Sequence, residues 1–175
     1  MKTDQSIFGE LNVVQKWYAV HTKARHEKRV HQRLNDKGVN SYLPINTVYR
    51  RWSDRYKKVQ EPLFSCYVFV RIALKERLDV LQTDGVVNLV SSNGIPASIP
   101  DNQIEAIRKL LSDEREVSCT DYFTPGKKVK VVRGLLKDLE GTMVAVKGEN
   151  RLVITIDSIK QAISVEINPG DVELM

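Results

Sequence analysis

The chain predicts an α+β fold. An antiparallel sheet with flanking helices is expected over residues 16–114, followed by a small β-barrel over 125–175. Three observations carry this. The run EPLFSCYVFVRI (61–72) is a strand by composition, apolar on both faces. The segment DNQIEAIRKLLSDE (101–114) repeats Ile104, Ile107, Leu110 and Leu111 at spacings of three and four, a helix with one apolar stripe. From Pro125 onward, five short runs rich in β-branched residues alternate with turn residues, and five such strands can close into a barrel that removes most exposed edges.

The elements follow in order. Residues 1–15 read as a leader. WYAVHT (17–22) is a strand, and ARHEKRVHQRLNDKG (24–38) is a helix with Thr22 as N-cap and Gly38 as its stop. Residues 39–50 alternate through Tyr42, Leu43, Ile45, Val48 and Tyr49 around Pro44, the pattern of a strand at a sheet edge. RRWSDRYKKVQE (50–61) is basic and reads as a hairpin loop or a mobile excursion. In the strand 63–72, Cys66, Val68, Val70 and Ile72 share one face, and Tyr67, Phe69 and Arg71 the other. One face covers the core, while the second packs under another element or meets a partner. LKERLDVLQTDGV (74–86) has a helical period through Leu74, Leu78 and Leu81, stopped at Asp84-Gly85, and 88–100 holds a short strand and a turn. Residues 115–124 lack a period and read as a linker. The barrel runs are KKVKVV, GTMVAV, RLVITI, AISVEI and DVEL, parted by Gly134, Gly148-Glu149-Asn150, Asp157-Ser158 and Asn168-Pro169-Gly170.

Charge is concentrated rather than spread. The net charge is +5, yet residues 16–58 alone hold 12 Lys and Arg against 3 Asp and Glu, a balance of +9. Such a surface suits a polyanion, most often nucleic acid, or stays a solvated face. No run of 18 apolar residues exists, so no helical membrane span is expected. The N-terminus lacks the apolar core of a secretory signal, and Cys66 and Cys119 read as two reduced thiols of a cytoplasmic protein. His21, His26 and His31 do not make a metal set, because a helical spacing of five turns His26 and His31 about 140° apart. No nucleophile–base set, carboxylate pair or phosphate loop is present, so neither catalysis nor a cofactor is expected.

GKKVKVVRGLLKDLEGTMVAV (126–146) resembles a KOW motif: a strand enters Arg133-Gly134, a short loop follows, and Gly141 opens the next strand. Preceded by WYAVHT, a basic helix and EPLFSCYVFV, it resembles the bacterial NusG family of transcription elongation factors over residues 16–175. Glu61-Pro62-Leu63-Phe64 and the run RLVITIDSIKQAISVEI look more like the specialised paralogs, of the RfaH and UpxY type, than the housekeeping member. Two departures stand out. Family members usually carry Pro-Gly before the Tyr where this chain has Ser65-Cys66, and many KOW loops carry Gly-Pro where it has Gly134-Leu135.

The resemblance implies an NGN-like domain over 16–114 that docks on the clamp helices of RNA polymerase, a linker over 115–124, and an SH3-like KOW barrel over 125–175. Carried onto this sequence, the polymerase pocket comprises Phe64, Tyr67 and Phe69, with His21 and Leu89. The helix residues Arg25, Lys28, Arg29, Gln32 and Arg33 correspond to the surface that meets the non-template DNA strand, with Arg25, Arg29 and Arg33 read as one stripe. A second basic group, Arg50, Arg51 and Arg55 with Lys57 and Lys58, interleaves Trp52 and Tyr56 and is placed near upstream DNA. The implied factor is a monomer that reduces pausing and promotes read-through, on polysaccharide-type operons or genome-wide. Its barrel meets Rho or the ribosome. A ribosome-associated KOW protein that binds RNA is the reading from another class. β-Branched content and the glycines at 134, 141 and 148 predict a barrel, not a helical hairpin, in the free chain, with Tyr67 and Phe69 unmasked.

Overall fold

A computed structural model describes residues 13–52, 55–113, 115–120, 122, 126–146 and 148–175. The expected leader lies outside the described residues except for 13–15, as does much of 121–125. Contacts divide the chain into two compact units, Met1–Leu43 with Phe64–Asp101, and Pro44–Leu63 with Asn102–Met175.

The first unit is built on a five-stranded antiparallel sheet. Strands β1 (Lys16–Thr22), β2 (Asn40–Tyr42), β5 (Tyr67–Ile72) and β6 (Val86–Leu89) lie in the order β2-β5-β1-β6, and β9 (Ser98–Ile99) pairs with the start of β1. The long apolar run at 61–72 thus becomes an interior strand, flanked by β1 and β2. Val68, Val70, Phe69 and Ile72 are buried, as are Tyr18, Ala19 and Val20 opposite them. Helix α1 (Glu27–Asp36) buries Val30 and Leu34 and presents Lys28, Arg29 and Gln32 outward. It ends as its sequence dictates: Gly38 sits at φ +77°, and the Val39 amide reaches back to the Leu34 carbonyl at 2.9 Å.

The start of α1 differs from expectation. His26, not Thr22, is the N-cap, and Thr22 still belongs to β1. Arg25 precedes the helix at φ +60°. The second expected helix is shorter too: a 3₁₀ turn (Leu74–Glu76) leads into α2 (Arg77–Leu81), whose one buried residue is Val80. Leu78 and Leu81 face solvent, so the leucine period there does not mark the buried face. A small hairpin, β7 (Ser91–Ser92) and β8 (Ile95–Pro96), closes on Asn93-Gly94, both at positive φ, as a tight two-residue turn demands.

The second unit contains the hairpin β3 (Ile45–Trp52) and β4 (Arg55–Pro62), helix α3 (Asp101–Ser112) from its second residue, and a six-stranded sheet. The basic run at 50–61 is therefore not a loop: eight residue pairs align from Ile45↔Pro62 to Trp52↔Arg55. The residues expected as one edge strand over 39–50 split at Pro44 between β2 and β3. Strands β10 (Val117–Thr120), β11 (Lys127–Val131), β12 (Glu140–Val146), β13 (Glu149–Ile156), β14 (Gln161–Glu166) and β15 (Val172–Leu174) lie in the order β10-β14-β13-β12-β11-β15. The five C-terminal runs are strands, as expected, around Val129, Val131, Leu152, Ile156, Ile163 and Val165. Gly134 turns at φ +78° in open space, but Gly141 has a packing role, since a Cβ there would lie 2.6 Å from the Val153 carbonyl oxygen.

Residues 115–124 are not all linker. Val117–Thr120 extend the sheet along β14, with Val117 buried and Ser118 opposite Ser164. Arg151 explains the pairing: its guanidinium donates to Ser118 Oγ at 3.0 Å and to Ser164 Oγ at 3.1 Å. Asn46 of the hairpin also donates to the Val117 carbonyl at 2.8 Å, and Lys109 of α3 to the Lys137 carbonyl at 3.1 Å. Both bonds lie within the second unit. The division into 16–114, 115–124 and 125–175 is retained as a proposal about function.

Candidate functional site

The aromatic face of β5 is assembled by strand register. Opposed residues share a face, so His21↔Tyr67, Ala19↔Phe69 and Tyr42↔Phe69 place His21, Tyr67, Phe69 and Tyr42 together. Phe64, in the turn before β5, meets Phe69 edge-on at 5.8 Å between centroids, and Tyr42 stacks on Phe69 at 6.4 Å. Trp17 continues the row, its ring 6.5 Å from that of Tyr42.

Exposure varies along the face, with Trp17 buried and Tyr42 half-buried. Phe64 and Phe69 are buried, at 1% and 0% exposure, so they support the face rather than present it. Tyr67 and His21 remain half-exposed at its end, their rings 5.5 Å apart. The expectation that Phe69 is open to a partner is corrected, because an interior strand with Tyr42 and Phe64 against it leaves no free ring face. Leu89 is corrected as well. It pairs with Val20, which pairs with Val68, so it lies on the opposite face of the sheet and is buried. Sequence reading missed Tyr42 and Trp17; the alternation at 39–43 and the mixed face of WYAVHT were the available signals.

The turn ahead of Tyr67 is locked from two sides. Cys66 stands at φ +66°, where L-residues other than Gly are disfavoured. Its amide donates to the buried carboxylate of Glu27 at 2.7 Å, and its carbonyl accepts from Thr22 N–H at 2.8 Å. The position expected to be Gly thus keeps a Gly-like backbone with Cys in place, and β5 starts at Tyr67.

The basic groups fare differently. Arg25 and Arg29 are exposed, but Arg33 donates to the Asp84 carboxylate and carbonyl, each at 2.7 Å. With Arg25 outside the helix, the expected three-residue stripe shortens to Arg29 beside an ion-paired Arg33. Gln32 donates to Asp36 at 2.9 Å. In the hairpin Arg50 forks onto Glu61 at 2.7 and 3.0 Å, while Arg51 and Arg55 are exposed. His26 is bonded to the Ala24 carbonyl, and His31 to Ser41 at 2.7 Å, where burial pushes its pKa down. Among the described residues no cluster of three His, Cys, Asp or Glu side chains is spaced to hold a metal, and no helix is long and apolar enough to cross a membrane.

Comparison with known proteins agrees with this architecture. The family model described as transcription termination factor nusG matches residues 15–108. The chain is 25% identical to the transcription termination/antitermination protein NusG of Rickettsia prowazekii, over 93% of this chain and 91% of that one. It is also 25% identical to the protein of that name from Lactococcus lactis, over 91% of this chain and 92% of that one. The solved structure of Thermotoga maritima NusG, reported for its domain interaction, covers 91% of this chain and 96% of its own at 25% identity, with a TM-score of 0.56. The family match spans more than half the sequence, so the chain belongs to the NusG family and is a NusG-type transcription factor.

Proposed function

We propose that this chain is a non-enzymatic elongation and antitermination factor of the cytoplasm. It docks on the clamp helices of RNA polymerase through the Tyr67–His21 end of the aromatic face. The observation that supports this is the half-buried Tyr67–His21 ring pair, which lies on the same sheet face as buried Phe69, and partly exposed aromatics are common interface anchors. Phe64 and Phe69 act by holding Tyr67 in place. Exposed Arg25, Lys28, Arg29, Arg51 and Arg55 are assigned to nucleic acid, the non-template strand or upstream DNA. Preferential binding to the active, closed polymerase then disfavours the paused state by the difference in affinity, and read-through follows. Polysaccharide-type operons are the proposed targets.

A second reading has its own support. The relatives named above carry the general NusG name and are matched over more than nine-tenths of their length. This favours a genome-wide role in which the barrel meets Rho or the ribosome. Chromatin occupancy separates the two, with one locus for the specialised factor and most transcribed genes for the general one.

The docking proposal is tested with Tyr67→Ala, His21→Ala and polymerase. Each truncation is expected to weaken binding by about 1–3 kcal/mol while the fold persists. Wild-type affinity in both variants would place the docking surface elsewhere.

A further inference from the structure

We infer that one face of the β3–β4 hairpin is a stacking platform for single-stranded nucleic acid. This deepens, and rests on, the nucleic-acid reading of the hairpin arginines. It names the face and the ligand.

The register sorts the hairpin into two unlike faces. Tyr49↔Lys58 and Arg51↔Tyr56 lie on one side, and Arg50↔Lys57 and Trp52↔Arg55 on the other. On the second side much of the chemistry is already used: Arg50 is forked onto Glu61, and the Lys57 ammonium sits 5.0 Å above the Trp52 ring. On the first side, no cation–π contact or ion pair among the described residues engages Tyr49, Arg51, Tyr56 or Lys58. Tyr49 is 70% and Tyr56 71% exposed. Neither Arg51 nor Lys58 forms an ion pair among the described residues.

The four side chains form a checkerboard, with the tyrosines on one diagonal and the cations on the other. Diagonal neighbours across a strand pair are about 7–8 Å apart. That is about twice the 3.4 Å rise of a nucleotide along one strand. Two rings at this spacing can each take an unpaired base, with Arg51 and Lys58 beside the intervening phosphates. A duplex hides its base faces and can offer this surface only its backbone, so the tyrosines select the single strand. The inner end of the platform opens into a cleft of about 570 Å³ bordered by Thr47, Tyr49, Lys58 and Glu116. The other carboxylate there, Asp113, is neutralised by Arg115 at 2.8 Å. Glu116 therefore marks where a polyanion stops, and the strand runs outward toward Tyr56.

The test uses the full chain without polymerase, with fluorescence anisotropy of a labelled oligo-dT and of a duplex, each across a salt series. Wild type is expected to prefer the single strand by about tenfold. Tyr49→Ala and Tyr56→Ala should each weaken it by about fivefold or more, with the salt slope unchanged. Tyr49→Phe and Tyr56→Phe should retain affinity, since the ring and not the hydroxyl stacks. Arg51→Ala and Lys58→Ala should each flatten the slope by about 0.7. Tyr→Ala variants that bind like wild type, or a duplex bound as tightly as the single strand, overturn the platform. If only the Arg and Lys variants weaken binding, the nucleic-acid reading stands without stacking. If wild type binds neither probe, both fall.

Discussion

Helix α1 and the β3–β4 hairpin carry similar loads of positive charge but treat it in opposite ways. Around α1 several polar side chains are tied into the fold. Glu27 holds the Cys66 amide, Arg33 holds Asp84, and Lys37 donates to the Asp79 carbonyl at 3.0 Å and to Thr83 Oγ1 at 2.9 Å. The hairpin is held by its own ladder and by Asn46, and on one of its faces neither Arg51 nor Lys58 forms an ion pair among the described residues. Charge count alone does not identify a binding surface. What matters is which cations the fold has already engaged, and by that measure the hairpin has more to offer than the helix.

The sharpest way to break the comparison is at the base of α1. Gly85 sits at φ +96°, and a Cβ there would lie 2.8 Å from Val30 Cγ2 on the helix. Gly85→Ala combines left-handed strain with a clash against a packed, buried residue, and should cost roughly 2–4 kcal/mol in urea unfolding. Gly38→Ala, equally left-handed but in open space, should cost less. Equal losses would mean that α1 is not seated on this glycine.

A gain is expected at the neighbouring turn. Cys66→Gly relieves a left-handed residue whose backbone is already fixed by Glu27 and Thr22. Relief of the strain is partly offset by the added freedom of the unfolded chain, leaving about 0.5–1 kcal/mol of stabilisation. A lower urea midpoint for the variant would show that the Cys side chain contributes more packing than its backbone costs.

The arginines then provide a direct contrast. Arg33→Gln removes an exposed ion pair and should cost about 0.2–1 kcal/mol of stability. It should change oligonucleotide binding little. Arg51→Gln should do the reverse, near-neutral for stability and weaker for nucleic acid. The opposite ranking would place a nucleic-acid contact at Arg33 rather than at Arg51.

Much of this was legible in the sequence, because the strongest signals are local. The C-terminal strands follow from runs such as LVITI and ISVEI bounded by turn residues, and β5 from EPLFSCYVFVRI. The end of α1 follows from Gly38. What was not legible depends on partners distant in sequence. Nothing in REVSCT announces that Arg151 will fasten it to Ser164, so β10 read as linker. Alternation in TVYRRW and RYKKVQ was present, but basic content outweighed it and the hairpin read as a loop. Phe69 is apolar on either reading, and only Tyr42 and Phe64 packing on it shows that it supports the site instead of forming its surface. Arg33 looked like part of a DNA stripe because Asp84, its partner, is 51 residues away.

The smallest predicted effect separates the two regions by pH. The hairpin carries no histidine among its described residues. In α1, His31 is bonded to Ser41, and burial lowers its pKa from the ordinary 6.5. Its folded-state pKa is the lower one, so near and below pH 6.5 the unfolded chain binds the proton more readily. The neutral ring's contribution is therefore present above the unfolded value and lost as pH falls through that value toward the folded one. His31→Asn removes this dependence. The urea midpoint of wild type, minus that of the variant, should fall between pH 7.5 and 5.5, while the affinity of the Tyr49–Tyr56 face for oligo-dT changes little over the same range. A midpoint difference that stays flat would show that the His31 ring takes up its proton as easily in the fold as in the unfolded chain.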